Sequence, residues 1–206
     1  MILQIVINKS QMNIDLNTLK LGIIKNLKNS QELIDEAEIL LKNGKFARAY
    51  LLSHMAIEES SKCAMLLKII AFIVWEEEID IKDVRKRYSN HKEKIKNFEL
   101  LNIFIDKNNI DNLCLNKKIE ISNSSKNDSL YVSWSNENKF ILPSEIFEKK
   151  DAEEKLNSAL NYVKLFTLIS INLIDNEHEV YKCLNNFKSN NLITKIIKSE
   201  KERKNK

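Results

Sequence analysis

Residues 44–62 read GKFARAYLLSHMAIEESSK, and this stretch decides the fold of the chain. Small or apolar side chains recur in it every three or four residues, which is the spacing of one face of an α-helix. That face continues towards the end of the apolar run at Trp75 and comprises Phe46, Ala49, Ser53, Ala56, Ser60, Ala64 and Leu67. Because helices with Ala and Ser at the contact can approach closely, we expect a long central helix over residues 45–75 that several other helices touch.

Glycine and proline are scarce, with two glycines and one proline among 206 residues. Tight turns and hairpins depend on these residues, so their scarcity disfavours an all-β fold or a many-stranded α/β sheet. The sequence also lacks the glycine loops that bind nucleotide phosphates and the GxSxG nucleophile elbow. Its three cysteines, Cys63, Cys114 and Cys183, have no metal-ligand spacing and are predicted to be reduced, buried thiols. We therefore predict an all-α, cytoplasmic protein with neither a metal nor a cofactor.

Four further segments have helical spacing. Residues 16–43 carry an apolar residue every three or four positions, and residues 81–105 have an almost regular heptad pattern that His91 and Asn102 interrupt. The sequence Asp151-x-x-Glu154 resembles a capping box and is predicted to open a helix that runs to about residue 173. A shorter helix is predicted over residues 179–187.

The turn residues have predicted places. Gly44 follows the first helix and marks the turn into the central one, whereas Gly22 lies inside the first helix and indicates either a close helix contact or a later helix start. Residues 129–134 and 139–142 alternate in polarity, are rich in β-formers and end at Pro143. This pattern predicts a small β-hairpin packed on the helices.

The predicted domain organisation is simple. An N-terminal extension (residues 1–15) precedes a single helical domain (residues 16–188), in which residues 108–143 form a loop and hairpin insertion and residues 108–127 are predicted to be loop. Residues 189–206 form a basic tail that we expect to be solvated and frayed. The apolar stretch at residues 66–75 is interrupted by Lys68 and is too short to span a membrane, so a buried helix is predicted there.

The chain has a net charge of +4, and its positive charge is concentrated in residues 82–96 and in the C-terminal tail. The first of these segments contains the candidate chemistry. Two acidic residues, Asp83 and Glu93, accompany seven basic residues there: Lys82, Arg85, Lys86, Arg87, Lys92, Lys94 and Lys96. His91 lies among them. An imidazole that moves a proton beside a guanidinium that stabilises developing negative charge is the combination that phosphodiester cleavage uses, and it requires no metal.

Helical geometry alone favours Arg87 as the partner of His91. Arg87 is four residues earlier and about 40° away around a regular helix, whereas Arg85 is six residues earlier and about 120° away. The alternative is a histidine bound by its neighbours, with both arginines on a solvated face. A second candidate pair, Glu58 and Lys62, has the i,i+4 spacing of a surface ion pair on a helix. His54 and His178 have no partner at metal-ligand spacing, and no role is predicted for them.

Several of these segments resemble AbiV-type abortive infection proteins of the HEPN superfamily. The similar residues are those of the stretch GKFARAYLLS and AIEESSK, together with SNHKEKI at residues 89–95, LYVSW at residues 130–134 and PSE at residues 143–145. The resemblance extends over about residues 19–173. It implies a HEPN-like bundle of four to five long helices with a small β-hairpin insertion, which forms a homodimer.

The resemblance also implies a function. Many HEPN proteins are metal-independent ribonucleases with an Arg-x4-6-His motif at the dimer cleft, and Arg85 with His91 fits this motif whereas Arg87 does not. We keep both arginines, and the predicted catalytic residues from the motif and from helical spacing together are His91, Arg85, Arg87, Glu58 and Lys62, with RNA predicted to be bound by Lys86, Lys92 and Lys94. The protein would abort phage infection by cleaving RNA or blocking translation when a phage-encoded protein triggers it.

Two alternatives remain. Lys86 stands where the family usually has a polar residue after the motif arginine, which favours a non-catalytic helical module that dimerises and binds a phage or host protein. A weaker one is a membrane-active toxin that uses residues 66–75.

Overall fold

The computed structural model describes residues 14–89, 123–188 and 191–204, and these form a helical fold with one short β-hairpin. These residues form α1 (Leu16–Lys42), α2 (Phe46–Val74), α3 (Ile81–Tyr88), α4 (Asn123–Asp128), β1 (Ser133–Trp134), β2 (Phe140–Ile141), α5 (Pro143–Ile146), α6 (Lys149–Asp175), α7 (Glu177–Phe187) and α8 (Asn191–Lys204). The all-α prediction with a small hairpin is confirmed.

The central position of α2 is confirmed. Long helices α1 and α6 pack against it and against each other, and the core lies among these three. The apolar stretch at its C-terminal end is buried, including Phe72 and Trp75. No helix in the described residues is long and apolar enough to cross a membrane.

The junction between α1 and α2 follows the predicted turn. Gly44 has a φ of +70°, its N–H donates to the carbonyl of Leu41, and the N–H of Lys45 donates to the carbonyl of Leu40. This is the Schellman motif, in which glycine avoids the strain that a side chain brings at positive φ. Gly22 allows a close approach, because a Cβ placed there would lie 2.9 Å from Cδ1 of Leu66 in α2.

Helix α6 begins earlier than predicted. Its N-cap is Glu148, whose backbone N–H donates to Oδ2 of Asp151 at 2.9 Å, so Asp151 is the third residue of the helix rather than its cap. The predicted apolar seam of this helix is buried as expected, from Ala152 through Phe166 to Leu173.

The β-hairpin is shorter than the sequence pattern suggested. Ser133 pairs with Ile141 and Trp134 with Phe140 in antiparallel register. Just before the hairpin, the carbonyl of Leu130 accepts from the guanidinium of Arg48 in α2 at 3.2 Å. The strands themselves are less packed on the helices than predicted, because Trp134 and Phe140 are largely exposed.

Two predicted irregular segments contain helices instead. Residues 123–127, assigned to the loop, belong to α4, and the predicted frayed tail is the helix α8. Helix α8 has an inner face, on which Ile193, Ile197 and Glu200 are buried. The third predicted helix is confirmed as far as Tyr88 in α3; its remainder falls in residues 90–122, outside the described residues.

Candidate functional site

The two candidate arginines lie on different sides of α3. This helix begins after Asp80, whose Oδ1 accepts the backbone N–H groups of Lys82 and Asp83 at 2.9 and 3.1 Å. Arg87 lies on the buried face and is 7% exposed, whereas Arg85 lies on the exposed face. Their two-residue separation places them about 200° apart around the helix.

Arg87 belongs to a group of four charges, three of which are buried while the Asp83 side chain is 33% exposed. Its Nε lies 2.7 Å from Oδ2 of Asp83, and its Nη2 donates to Oε2 of Glu200 at 2.8 Å. The other oxygen of Glu200 accepts from Nζ of Lys68 at 2.5 Å. These four residues, which we name the Arg87 cluster, join α2, α3 and α8.

The cluster separates the roles that the two arginines can have. The guanidinium of Arg87 is held inside the bundle by two carboxylates, so it has a structural role in this conformation. Arg85 lies on the surface with Lys82 and Lys86, which are also exposed. A phosphate backbone approaching α3 from solvent would meet Arg85 and Lys86 first. His91, Lys92 and Lys94 lie outside the described residues.

Glu58 and Lys62 do not form the predicted i,i+4 pair. Glu58 is buried, and its carboxylate accepts from Nζ of Lys126 at 3.0 and 3.2 Å. Oε1 of the same carboxylate lies 3.2 Å from Nε2 of His54. We name these three residues the Glu58 cluster; it fixes α4 on α2.

His54, for which the sequence predicted no role, lies in the Glu58 cluster. It is fully buried, and its Nδ1 has no hydrogen-bond partner among the described residues. The signal that could have found it is its i,i+4 spacing to Glu58, on the small-residue side of the central helix.

Lys62 lies beside the end of α3. Its Nζ is 2.5 Å from Oε1 of Glu59 and 4.9 Å from the centre of the Tyr88 ring. The hydroxyl of Tyr88 exchanges hydrogen bonds with Asn26 of α1 at 2.6 and 2.8 Å. Burial raises the pKa of Tyr88 above its ordinary value. Lys62 therefore helps to fix the point at which the chain leaves α3 towards His91.

Three other titratable groups in or beside α2 have pKa values shifted by burial. Burial raises the pKa of the Cys63 thiol, as expected for an inert buried cysteine. Burial also raises the pKa of Tyr50 and lowers that of Lys155, whose Nζ lies 4.9 Å from the Tyr50 ring centre. No group of three or more His, Cys, Asp or Glu side chains in the described residues could hold a metal ion.

Comparison with known proteins identifies the family. The sequence model of the HEPN_AbiV family, described as AbiV, matches residues 18–164. Searches of curated proteins and of solved structures gave no significant match. The match covers most of the chain, from α1 into α6, and includes α3 and the Glu58 cluster. The chain therefore belongs to the AbiV family of the HEPN superfamily, a family associated with abortive infection.

Proposed function

We propose that this protein is a metal-independent endoribonuclease of the cytoplasm that aborts phage infection. Family membership supports the defence role. The observation that carries the catalytic assignment is the division of the two arginines of α3, one held in a buried cluster and one exposed. While Arg87 is held in that cluster, Arg85 is the arginine that RNA can reach, and its spacing to His91 is the one that fits the HEPN motif.

The proposed chemistry is transfer of a phosphodiester to the neighbouring 2′-hydroxyl. His91 takes the proton from the 2′-oxygen as this oxygen attacks phosphorus, and the bond from phosphorus to the 5′-oxygen breaks. The guanidinium of Arg85 stabilises the charge on the phosphoryl oxygens in the transition state. The leaving 5′-oxygen is protonated by an imidazolium, and the other product carries a 2′,3′-cyclic phosphate. DNA lacks the attacking hydroxyl and is not a substrate.

Lys86, Lys92 and Lys94 are proposed to bind the RNA backbone. In a homodimer, two such basic segments would face one cleft, and the His91 of the second subunit could supply the acid that protonates the leaving oxygen. The affinity for RNA would then fall steeply with salt concentration, since each phosphate contact releases counterions. A phage-encoded protein is proposed to trigger the activity, because an unregulated ribonuclease would damage its own host.

Cleavage of RNA by the purified protein tests the catalytic assignment. We expect His91→Ala and Arg85→Ala to lower the cleavage rate by about 100-fold or more, the usual contribution of a general base or a charge-stabilising donor. Asn17→Ala, at an exposed position of α1, serves as the matched control and should cleave like the wild type. Cleavage should persist in a chelator and leave cyclic phosphate ends. Equal rates for the wild type and His91→Ala would refute the assignment.

One feature of the structure favours the second candidate function, a non-catalytic module that binds a phage or host protein. The hairpin exposes a stacked aromatic pair: Trp134 is 68% exposed, Phe140 is 70% exposed, and their ring centres are 5.3 Å apart. Tyr131, Val132 and Leu142 beside them are exposed as well. Exposed apolar patches of this kind mark protein-binding surfaces.

The hairpin also offers a test of this second function. Replacing Trp134 and Phe140 by serine should leave RNA cleavage unchanged if the aromatic pair only binds a partner. In infected cells the same variant should lose protection if partner binding is the essential step. Full protection by this variant would argue against the module and leave the nuclease as the explanation.

A further inference from the structure

Glu200 of α8 supplies one of the two carboxylates of the Arg87 cluster. Lys68 and Arg87 carry two positive charges, and Asp83 and Glu200 carry two negative ones. Three of the four residues belong to α2 and α3, which the family match covers. Glu200 belongs to α8, which lies beyond residue 164 where that match ends. Undocking of α8 would remove the carboxylate that accepts from both Lys68 and Arg87.

The groups that bind the Glu200 carboxylate, Lys68 and Arg87, form an anion-binding site, which we call the seat of Glu200. One of its oxygens accepts from Lys68 at 2.5 Å and lies 3.4 Å from Nη1 of Arg87, and the other accepts from Nη2 of Arg87 at 2.8 Å. A guanidinium that binds two oxygens, with an ammonium on one of them, is equally suited to the oxygens of a phosphate. The carboxylate stands where a phosphate could bind.

The attachment of α8 suits a removable segment. Ile193 and Ile197 are buried and Ile196 is partly buried against the core, and the backbone of α8 is less closely packed on the bundle than the long helices are on one another. Ion pairs add to this apolar contact, with Nζ of Lys201 lying 2.8 Å from Oε2 of Glu77. A polyanion can compete for such an attachment, whereas it could not displace a purely apolar one.

We propose that Lys68 and Arg87 form a phosphate-binding site for the RNA backbone, and that Glu200 of α8 occupies this site in the resting protein. RNA would displace α8, and one of its phosphates would take the place of the Glu200 carboxylate. The phosphate would then bind Arg87, which is four residues before His91 in the chain. This inference deepens the proposed function, since it rests on RNA being the ligand of α3. It gives the protein an inhibitory contact within its own chain.

Replacing Glu200 by glutamine tests the inference. The probe is a fluorescent 2′-O-methyl oligouridine, which cannot be cleaved by the proposed chemistry. We expect Glu200→Gln to bind it about tenfold more tightly than the wild type, as one additional charge-assisted contact would give. The slope of log affinity against log salt should steepen by about 0.7 for each additional phosphate contact. Inorganic phosphate in a parallel titration shows whether a free anion suffices or a nucleic acid backbone is needed.

The matched control is Glu202→Gln, which removes the same charge from an exposed position of the same helix. It should have the affinity and salt slope of the wild type. Equal gains in both variants would mean that only the net charge of α8 matters, and no gain in Glu200→Gln would mean that its seat binds no phosphate. Either result overturns the inference.

Hydrogen exchange on the wild type tests the inference without a substitution. Saturating oligouridine should accelerate amide exchange in residues 191–204 if α8 leaves its seat, and unchanged or slower exchange would contradict displacement. The two proposals can fail separately. A gain in binding without cleavage in any variant would refute the ribonuclease and keep the phosphate site, whereas His91-dependent cleavage without the binding gain would do the reverse.

Discussion

The Glu58 cluster and the Arg87 cluster both attach a distant segment to the central helix α2, but with the charges reversed. Each joins the central helix α2 to a segment distant in the sequence through a buried bond between a lysine and a glutamate. In the first the carboxylate belongs to α2 and the cation to α4, and in the second the cation belongs to α2 and the carboxylate to α8. The first lies wholly within the family match, and the second extends beyond it.

The reversed charges determine whether an RNA phosphate can replace the group that each cluster loses when its attached helix moves away. If α4 moved away, a buried carboxylate beside His54 would be exposed to solvent, and an RNA phosphate could not replace the lost cation. If α8 moved away, two cations would be exposed, and a phosphate could replace the lost carboxylate. The Glu58 cluster is therefore expected to be a permanent anchor and the Arg87 cluster an exchangeable one.

The largest expected effect comes from breaking the anchor. Glu58→Gln removes the charge that Lys126 and His54 face in the interior, and we expect the free energy of unfolding to fall by about 4 kcal/mol. Urea unfolding followed by circular dichroism measures it. Glu59→Gln, one position along the same helix, removes a less buried pair with Lys62 and should cost less than about 1 kcal/mol. Similar losses for the two variants would remove the reason to treat the Glu58 cluster as an anchor.

The second prediction compares the two arginines. Arg87→Met should lower the free energy of unfolding by about 3 kcal/mol, because it takes a buried partner from Asp83 and Glu200. Arg85→Met, at an exposed position two residues earlier, should change it by no more than about 0.5 kcal/mol. The same unfolding measurement serves both variants. Equal destabilisation would contradict the division of roles between these arginines.

A smaller effect on stability is expected at the C-terminal ends of α1 and α2, which both form a Schellman motif. Gly44 follows α1 and Glu76 follows α2, both at positive φ, and only the second carries a side chain there. Gly44→Ala should cost about 1 kcal/mol, and Glu76→Gly should stabilise the protein by up to about 1 kcal/mol. Thermal melting of both variants checks the opposite signs. Shifts in the same direction would show that strain at positive φ does not control these ends.

The smallest expected effect concerns pH and the outer attachment of α8. Hydrogen bonds from Lys201 and Lys188 hold the pKa of Glu77 below its ordinary value of 4.5. Glu77 therefore stabilises the folded state above the unfolded pKa, and this contribution is lost as the pH falls through the lower folded pKa. Melting temperatures from about pH 5 to about pH 3 should fall less in Glu77→Gln than in the wild type. Parallel curves would contradict this assignment.

Much of the fold could be predicted because its long helices are periodic. The seams of α1, α2 and α6 follow the helical repeat closely enough to be assigned from their apolar residues alone. The start of α6 was misplaced by three residues because Glu148-x-x-Asp151 and Asp151-x-x-Glu154 both have the form of a capping box. Tertiary context, not the local pattern, selects the first.

The tail and the site show the limit of local patterns. Six basic residues dominate residues 195–206, and this composition concealed the three-to-four spacing of Ile193, Ile196, Ile197 and Glu200. The burial of Arg87 could not be predicted from α3, because its partner Glu200 is 113 residues away in the chain. The spacing to His91 identified two arginines, and long-range contacts distinguish them.

Protection against phage in cells tests the central claim most directly, because it separates a nuclease from a binding module. Cells that express the wild type, the Arg85→Ala, His91→Ala double variant or the Asn17→Ala control should be challenged with a phage that the wild type blocks, at equal protein levels. The proposed ribonuclease predicts that the double variant loses protection while the control keeps it. Full protection by the double variant would contradict the account.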